Sequence, residues 1–116
     1  MLVRRAKEPA KGTLDLPGGF VDMHESAEEA AHREVKEETG LDLTDCRYLF
    51  SIPNIYPYCG FDVHTVDMFF ECLTESFDGA KAEDDAAEIV ILPASQLNPD
   101  DFGLQSIKKA VGRYIK

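Results

Sequence analysis

The sequence predicts an α+β domain whose helices pack on a mixed β-sheet. Three stretches carry that prediction. One is a helix signal over 27–39 with its start and stop residues in place. The second is a β-branched and aromatic run over 63–73, and the third an amphipathic stretch over 104–115. At 116 residues the chain has the length of a single domain, 1–116, with one modest core.

The elements come in order along the chain. Leu2-Val3 reads as the end of a strand, and Arg4-Arg5-Ala6-Lys7 leads into a loop punctuated by Pro9, Gly12 and Pro17. Gly18-Gly19 form a turn, and Phe20-Val21 a short extended piece. Ser26 with Glu29 makes a capping box, and Gly40 suits the position just past a helix end. The helix between them runs from about Ala27 to Thr39. Cys46 to Ile52 is strand-like, with Tyr48 and Phe50 on one face, and Pro53, Pro57 and Gly60 are expected to break the stretch after it. Val63 to Leu73 is the best strand in the chain. Asp78-Gly79 marks a turn, Lys81 to Glu88 an acidic loop, and Glu88 to Leu92 a further strand. A last helix from about Leu104 to Ile115 aligns Leu104, Ile107, Val111 and Ile115. Phe69, Phe70 and Phe77 are expected in the core.

Composition excludes several classes of function. The chain is 44% hydrophobic and 29% charged, which is ordinary for a folded domain. Its longest apolar runs, such as Ile89-Val90-Ile91-Leu92, are too short to cross a bilayer, and no secretory leader follows Met1. Cys46, Cys59 and Cys72 show no C-x-x-C spacing and read as isolated buried thiols in a reducing, cytoplasmic setting. The formal net charge of −10 argues against nucleic-acid or anionic-membrane partners. It also opposes any phosphate substrate unless a cation is bound.

The first helix supplies ligands for such a cation. At about 100° per residue, Ala27, Ala30, Ala31 and Val35 fall on one face, and Glu34, Glu37 and Glu38 fall within the same arc. A pair of like charges about 4 Å apart costs roughly 4 kcal/mol at an effective dielectric near 20. A small domain has only about 5–15 kcal/mol of stability in total. Either the helix is a solvated acidic surface, or a hard divalent cation compensates the cluster. Arg33, four residues before Glu37, can orient a carboxylate from one side.

The wider pattern favours the cation. Gly19, Glu25 and the run Arg33-Glu34-Val35-Lys36-Glu37-Glu38-Thr39-Gly40-Leu41 fill the pattern G-x5-E-x7-R-E-U-x-E-E-x-G-U, hereafter the box, where U is a bulky aliphatic residue. The chain thereby resembles the Nudix hydrolases. Leu14-Asp15-Leu16-Pro17-Gly18 is similar to the family's W-x-L-P-G lead-in, with Leu14 where Trp often stands, and Glu88 to Pro93 with Leu97 is similar to a late strand and turn. The resemblance implies an α/β/α sandwich that hydrolyses the pyrophosphate link of a nucleoside diphosphate joined to another moiety, an ADP-sugar or dinucleotide being favoured. It implies Mg²⁺ or Mn²⁺ on Glu34, Glu37 and Glu38, with a carbonyl of Gly18 or Gly19, while Glu25 and Arg33 hold those carboxylates in place. The general base is Glu34 or a residue of the acidic loop, among Glu83, Asp84, Asp85 and Glu88.

For substrate binding the sequence offers Tyr56 and Tyr58, in an aromatic loop between strands, and Asp85. The same tyrosines could simply cover the core. The resemblance further implies a strand or hairpin ahead of Met1, so either the sequence starts late or a homodimer or strand exchange covers the exposed edge. The alternative function is a non-catalytic nucleotide-sensing module on the same fold, although all the box carboxylates are present. A calcium-binding or protein-interaction domain is disfavoured, because no D-x-[DN]-x-[DN]-G loop occurs.

Overall fold

Ser26 begins the most strongly specified element. In the computed structural model, which describes residues 1–84 and 86–116, its hydroxyl accepts the Glu29 amide at 3.1 Å. Glu29 Oε1 accepts the Ser26 amide at 2.9 Å in return. At the other end Gly40 takes the left-handed conformation, φ 77°, and donates its amide to the Lys36 carbonyl. Helix α1 therefore spans Ala27–Thr39, as the capping residues predict.

Strand β1 (Leu2–Arg5) is central in a three-stranded sheet, with β2 (Leu14–Asp15) on one side and β5 (Ala86–Val90) on the other. Both pairings are antiparallel, and a parallel bridge joins Leu14 to Phe102. β5 begins two residues earlier than expected and stops at Val90, because Val90 pairs with Leu2, the first residue of β1.

Strands β3 (Asp45–Tyr58) and β4 (Phe61–Leu73) form a separate antiparallel hairpin. They are joined at Cys59-Gly60, both with positive φ, 52° and 82°. Such backbone suits a two-residue turn that matches the strand twist. Here the expected break at Pro53 and Pro57 does not occur, and β3 runs through both. The residues closing a two-residue turn exchange hydrogen bonds, and the bonded positions then alternate. Tyr58 pairs with Phe61, so Pro57 and Pro53 fall opposite Asp62 and Val66 at non-bonded positions. Their missing N–H groups face away from β4 and no ladder bond is lost.

A second correction concerns Tyr48 and Phe50. The register shifts between them, so Tyr48 pairs with Phe70 and Phe50 with Phe69. Those partners are consecutive and point to opposite faces, so the bulge separates Tyr48 from Phe50.

Helix α2 (Gln105–Tyr114) packs along this hairpin. The buried Ser106 donates to Asp67 Oδ2 at 2.6 Å, Tyr114 donates to Glu71 Oε2 at 2.6 Å, and Arg113 lies 4.5 Å over the Phe50 ring. The core gathers Leu2, Leu14, Phe102 and Val111, flanked by Leu16, Val90, Leu92, Leu97 and Ile107. Short 3₁₀ turns at Ala94–Gln96 and Pro99–Asp101 deliver Phe102 into it, 1% exposed. Phe77, expected inside, is 44% exposed, and Phe69 and Phe70 are only partly buried.

The cysteines also depart from expectation. Cys46 and Cys72 are partners across the hairpin, and Cys59 is exposed in its turn. Among the described residues no helix is long and apolar enough to cross a membrane.

Candidate functional site

Arg33 is the hub of the α1 face. Its Nε and Nη2 donate to the two oxygens of Glu25 at 2.8 and 3.0 Å, a bidentate pair. Nη2 also reaches the Phe20 carbonyl at 3.0 Å. Nη1 donates to Glu34 Oε1 at 2.9 Å and, more weakly, to the Glu37 carboxylate at 3.3 and 3.4 Å. Glu25 is held from behind as well, since its Oε1 accepts the Asp22 amide at 2.9 Å. The hydrogen bonds from Arg33, and then that from Asp22, hold the Glu25 carboxyl below its ordinary range. The same contacts push Arg33 further up, so it stays charged.

Glu34 and Glu38 sit deeper than Glu37, whose side chain is 46% exposed at the rim. Burial raises the Glu34 carboxyl in spite of Arg33. A Cβ on Gly19 would fall 2.5 Å from Glu34 Oε1, so the carboxylate occupies the space that a side chain at residue 19 would need. Glu38 Oε2 accepts the Gly18 amide at 3.1 Å. Burial, reinforced by the charges of Glu34, Asp15 and Asp84, pushes its carboxyl up to about 8.

The acidic loop is sewn to the end of this helix. The Lys81 amide donates to the Thr39 carbonyl at 3.0 Å and the Glu83 amide to the Glu38 carbonyl at 2.9 Å. Those bonds satisfy carbonyls that a helix end leaves open, and they bring Asp84 into the field of Glu38. Glu88 is turned elsewhere, 3.5 Å from Arg4 across β1 and β5. Asp85 lies outside the described residues.

Tyr56 and Tyr58 do approach the box. Phe20, directly after the glycine turn, meets both in edge-to-face contacts with centroids 5.6 and 5.4 Å apart. Sequence reasoning missed Phe20, although an exposed aromatic beside a Gly-Gly turn is the signal that could have found it. It also missed Asp15, whose side chain is only 14% exposed and accepts from Arg5 at 2.7 Å, and the role of the Gly18 amide. An open groove of about 710 Å³ between the hairpin and α2, lined by Pro53, Ile55, His64, Val66 and Lys109, includes none of the box residues.

Among the described residues no three acidic, histidine or cysteine side chains converge as an ion cage. Arg33 engages Glu34 and Glu37, while the Gly18 amide engages Glu38. The donor set nonetheless fits a hard divalent cation. It offers carboxylate oxygens from adjacent turns of one helix, beside glycine backbone with no side chain in the way.

Fold and site together define an α+β protein built around a glutamate-rich helix face locked to a glycine turn. A NUDIX domain model matches residues 1–111, and the chain belongs to that family. An ADP-ribose pyrophosphatase from Methanocaldococcus jannaschii is 56% identical over 41 residues, covering 35% of this chain and 24% of that protein. An 8-oxo-dGTP diphosphatase from Proteus vulgaris is 34% identical over 67 residues, covering 58% of this chain and 56% of that protein. The chain thus spans between about a quarter and just over half of these relatives. The NUDIX domain of Shewanella oneidensis NrtR, complexed with ADP ribose, aligns with a TM-score of 0.70 over 97% of this chain and 74% of that one. Its identity of 20% makes this a likeness of fold alone.

Proposed function

We propose that this chain hydrolyses the pyrophosphate linkage of a nucleoside diphosphate joined to another group, with Mg²⁺ or Mn²⁺ as cofactor. The observation that carries the reading is the Arg33 hub, which positions Glu34 under Gly19 while the Gly18 amide positions Glu38. Glu34, Glu37 and Glu38 would hold the ion, and Glu25 and Arg33 keep those carboxylates oriented. When bound, the cation neutralises charge developing on the pyrophosphate. The chain's own contribution is a base that takes the proton of the attacking water at a carboxylate oxygen. Glu34 and Asp84 are the candidates, and because Glu34 would also hold the ion, D84N is the deciding variant: full turnover in it removes Asp84 from the role.

Phe20, Tyr56 and Tyr58 form an aromatic wall suited to a nucleobase. The likeness to an ADP-ribose pyrophosphatase supports an ADP-sugar or dinucleotide, and it is concentrated in a short stretch. We extend the reading to a homodimer, because among the described residues no strand covers the outer edge of β5. A single protomer mass by light scattering removes that extension.

The test is a panel of nucleoside diphosphate derivatives and nucleoside triphosphates incubated with Mg²⁺ or Mn²⁺ and a phosphatase-coupled phosphate assay. Release from ADP-sugars or dinucleotides that stops with a chelator supports the proposal. Calorimetric binding of those compounds without any hydrolysis overturns it.

A further inference from the structure

Cys46 and Cys72 face each other directly across β3 and β4. The type of ladder position decides what that means. The Leu73 carbonyl accepts the Thr44 amide at 2.8 Å, so the backbone of Leu73 faces β3. Backbone direction alternates along a strand, so the polar groups of Cys72 point away and Cys46–Cys72 is a non-hydrogen-bonded pair. Such pairs bring their Cα atoms to about 4.5 Å, inside the span of roughly 4.4–6.8 Å that a disulfide bridges. Both side chains leave the same face of the hairpin, beside the Tyr48–Phe70 aromatic pair.

We propose that Cys46 and Cys72 are a reversible dithiol–disulfide site, a staple across the base of the β3–β4 hairpin. The co-reactant is a small-molecule disulfide. One cysteine thiolate attacks it, forming a mixed disulfide and releasing one thiol. The second cysteine sulfur then displaces the other half, so two protein thiols are oxidised as one external disulfide is reduced to two thiols. Closure constrains the whole hairpin in the unfolded chain, and so stabilises the fold. Burial and the neighbouring Cys46 thiol push the Cys72 thiol up to about 12. Attack by Cys72 is therefore slow at neutral pH and quickens as pH rises. Cys59, exposed in the turn at the far end, takes no part.

The experiment treats the C59S protein with oxidised glutathione, then maps its peptides without reductant. The expected result is a Cys46–Cys72 linked peptide pair, no titratable thiol, and a thermal midpoint raised by several degrees that dithiothreitol reverses. C46S/C59S should carry one glutathione on Cys72 and show no such rise. Free thiols after exhaustive treatment, a separate glutathione on each cysteine, or a linked pair without a rise in midpoint would each overturn the proposal.

Discussion

The carboxylate of Glu34 fills the space in which any side chain at residue 19 would stand, its Oε1 lying 2.5 Å from an ideal Cβ on Gly19. The clash is with the far end of a flexible side chain, so Gly19→Ala displaces Glu34 without disturbing the backbone. The variant should keep its circular dichroism spectrum and lose about 10-fold or more in metal-dependent turnover, the scale at which displaced ligands act. Full turnover would detach Glu34 from the chemistry.

Arg33→Lys keeps the charge and removes the fork. An ammonium cannot serve Glu25 in bidentate fashion while also reaching Glu34 and the Phe20 carbonyl. We expect a loss of about 10–100-fold in activity or Mg²⁺ affinity, measured by metal titration of the rate. Wild-type values would reduce Arg33 to surface decoration.

Glu38 makes the metal-free protein sensitive to pH. Its carboxyl is raised above the ordinary Glu value, so the neutral form is favoured in the fold. That contribution is complete below about pH 4.5 and is lost as pH rises through about 8. In chelator, the thermal midpoint should fall between about pH 5 and pH 8.5, and added Mg²⁺ should recover it at the upper end. Glu38→Gln should flatten that profile and cut turnover by orders of magnitude with the fold intact. Near-normal turnover in the variant would sink the assignment of Glu38 to the metal.

Ser106 tests the docking of α2 independently of the site. It is buried and donates at 2.6 Å to Asp67, which also accepts from Thr65 at 2.8 Å. Ser106→Ala should cost about 1–3 kcal/mol by denaturant unfolding, as expected when a carboxylate loses a donor. Its effect on kcat should be small.

The sequence made some of this legible because the forces involved were local. The Ser26–Glu29 box and Gly40 set the ends of α1 with no reference to the rest of the chain. Helical periodicity alone put Glu34, Glu37 and Glu38 on one inward face, and it holds for Glu34 and Glu38 while Glu37 sits exposed at the rim. The features that escaped depended on partners. Pro53 and Pro57 looked like strand breakers until a hairpin placed them at non-bonded positions. One inserted residue in β3 sent Tyr48 and Phe50 to opposite faces. The contacts of Phe20 and the pairing of Cys46 with Cys72 required a register that no single segment encodes.

The two prolines of β3 have a consequence beyond tolerance. Along that margin, in the half nearer the turn, a stray peptide seeking to add itself would find two gaps in the row of donors, at Pro53 and Pro57. A long two-stranded ribbon is ordinarily a template for fibril growth, and here one flank is chemically blunt.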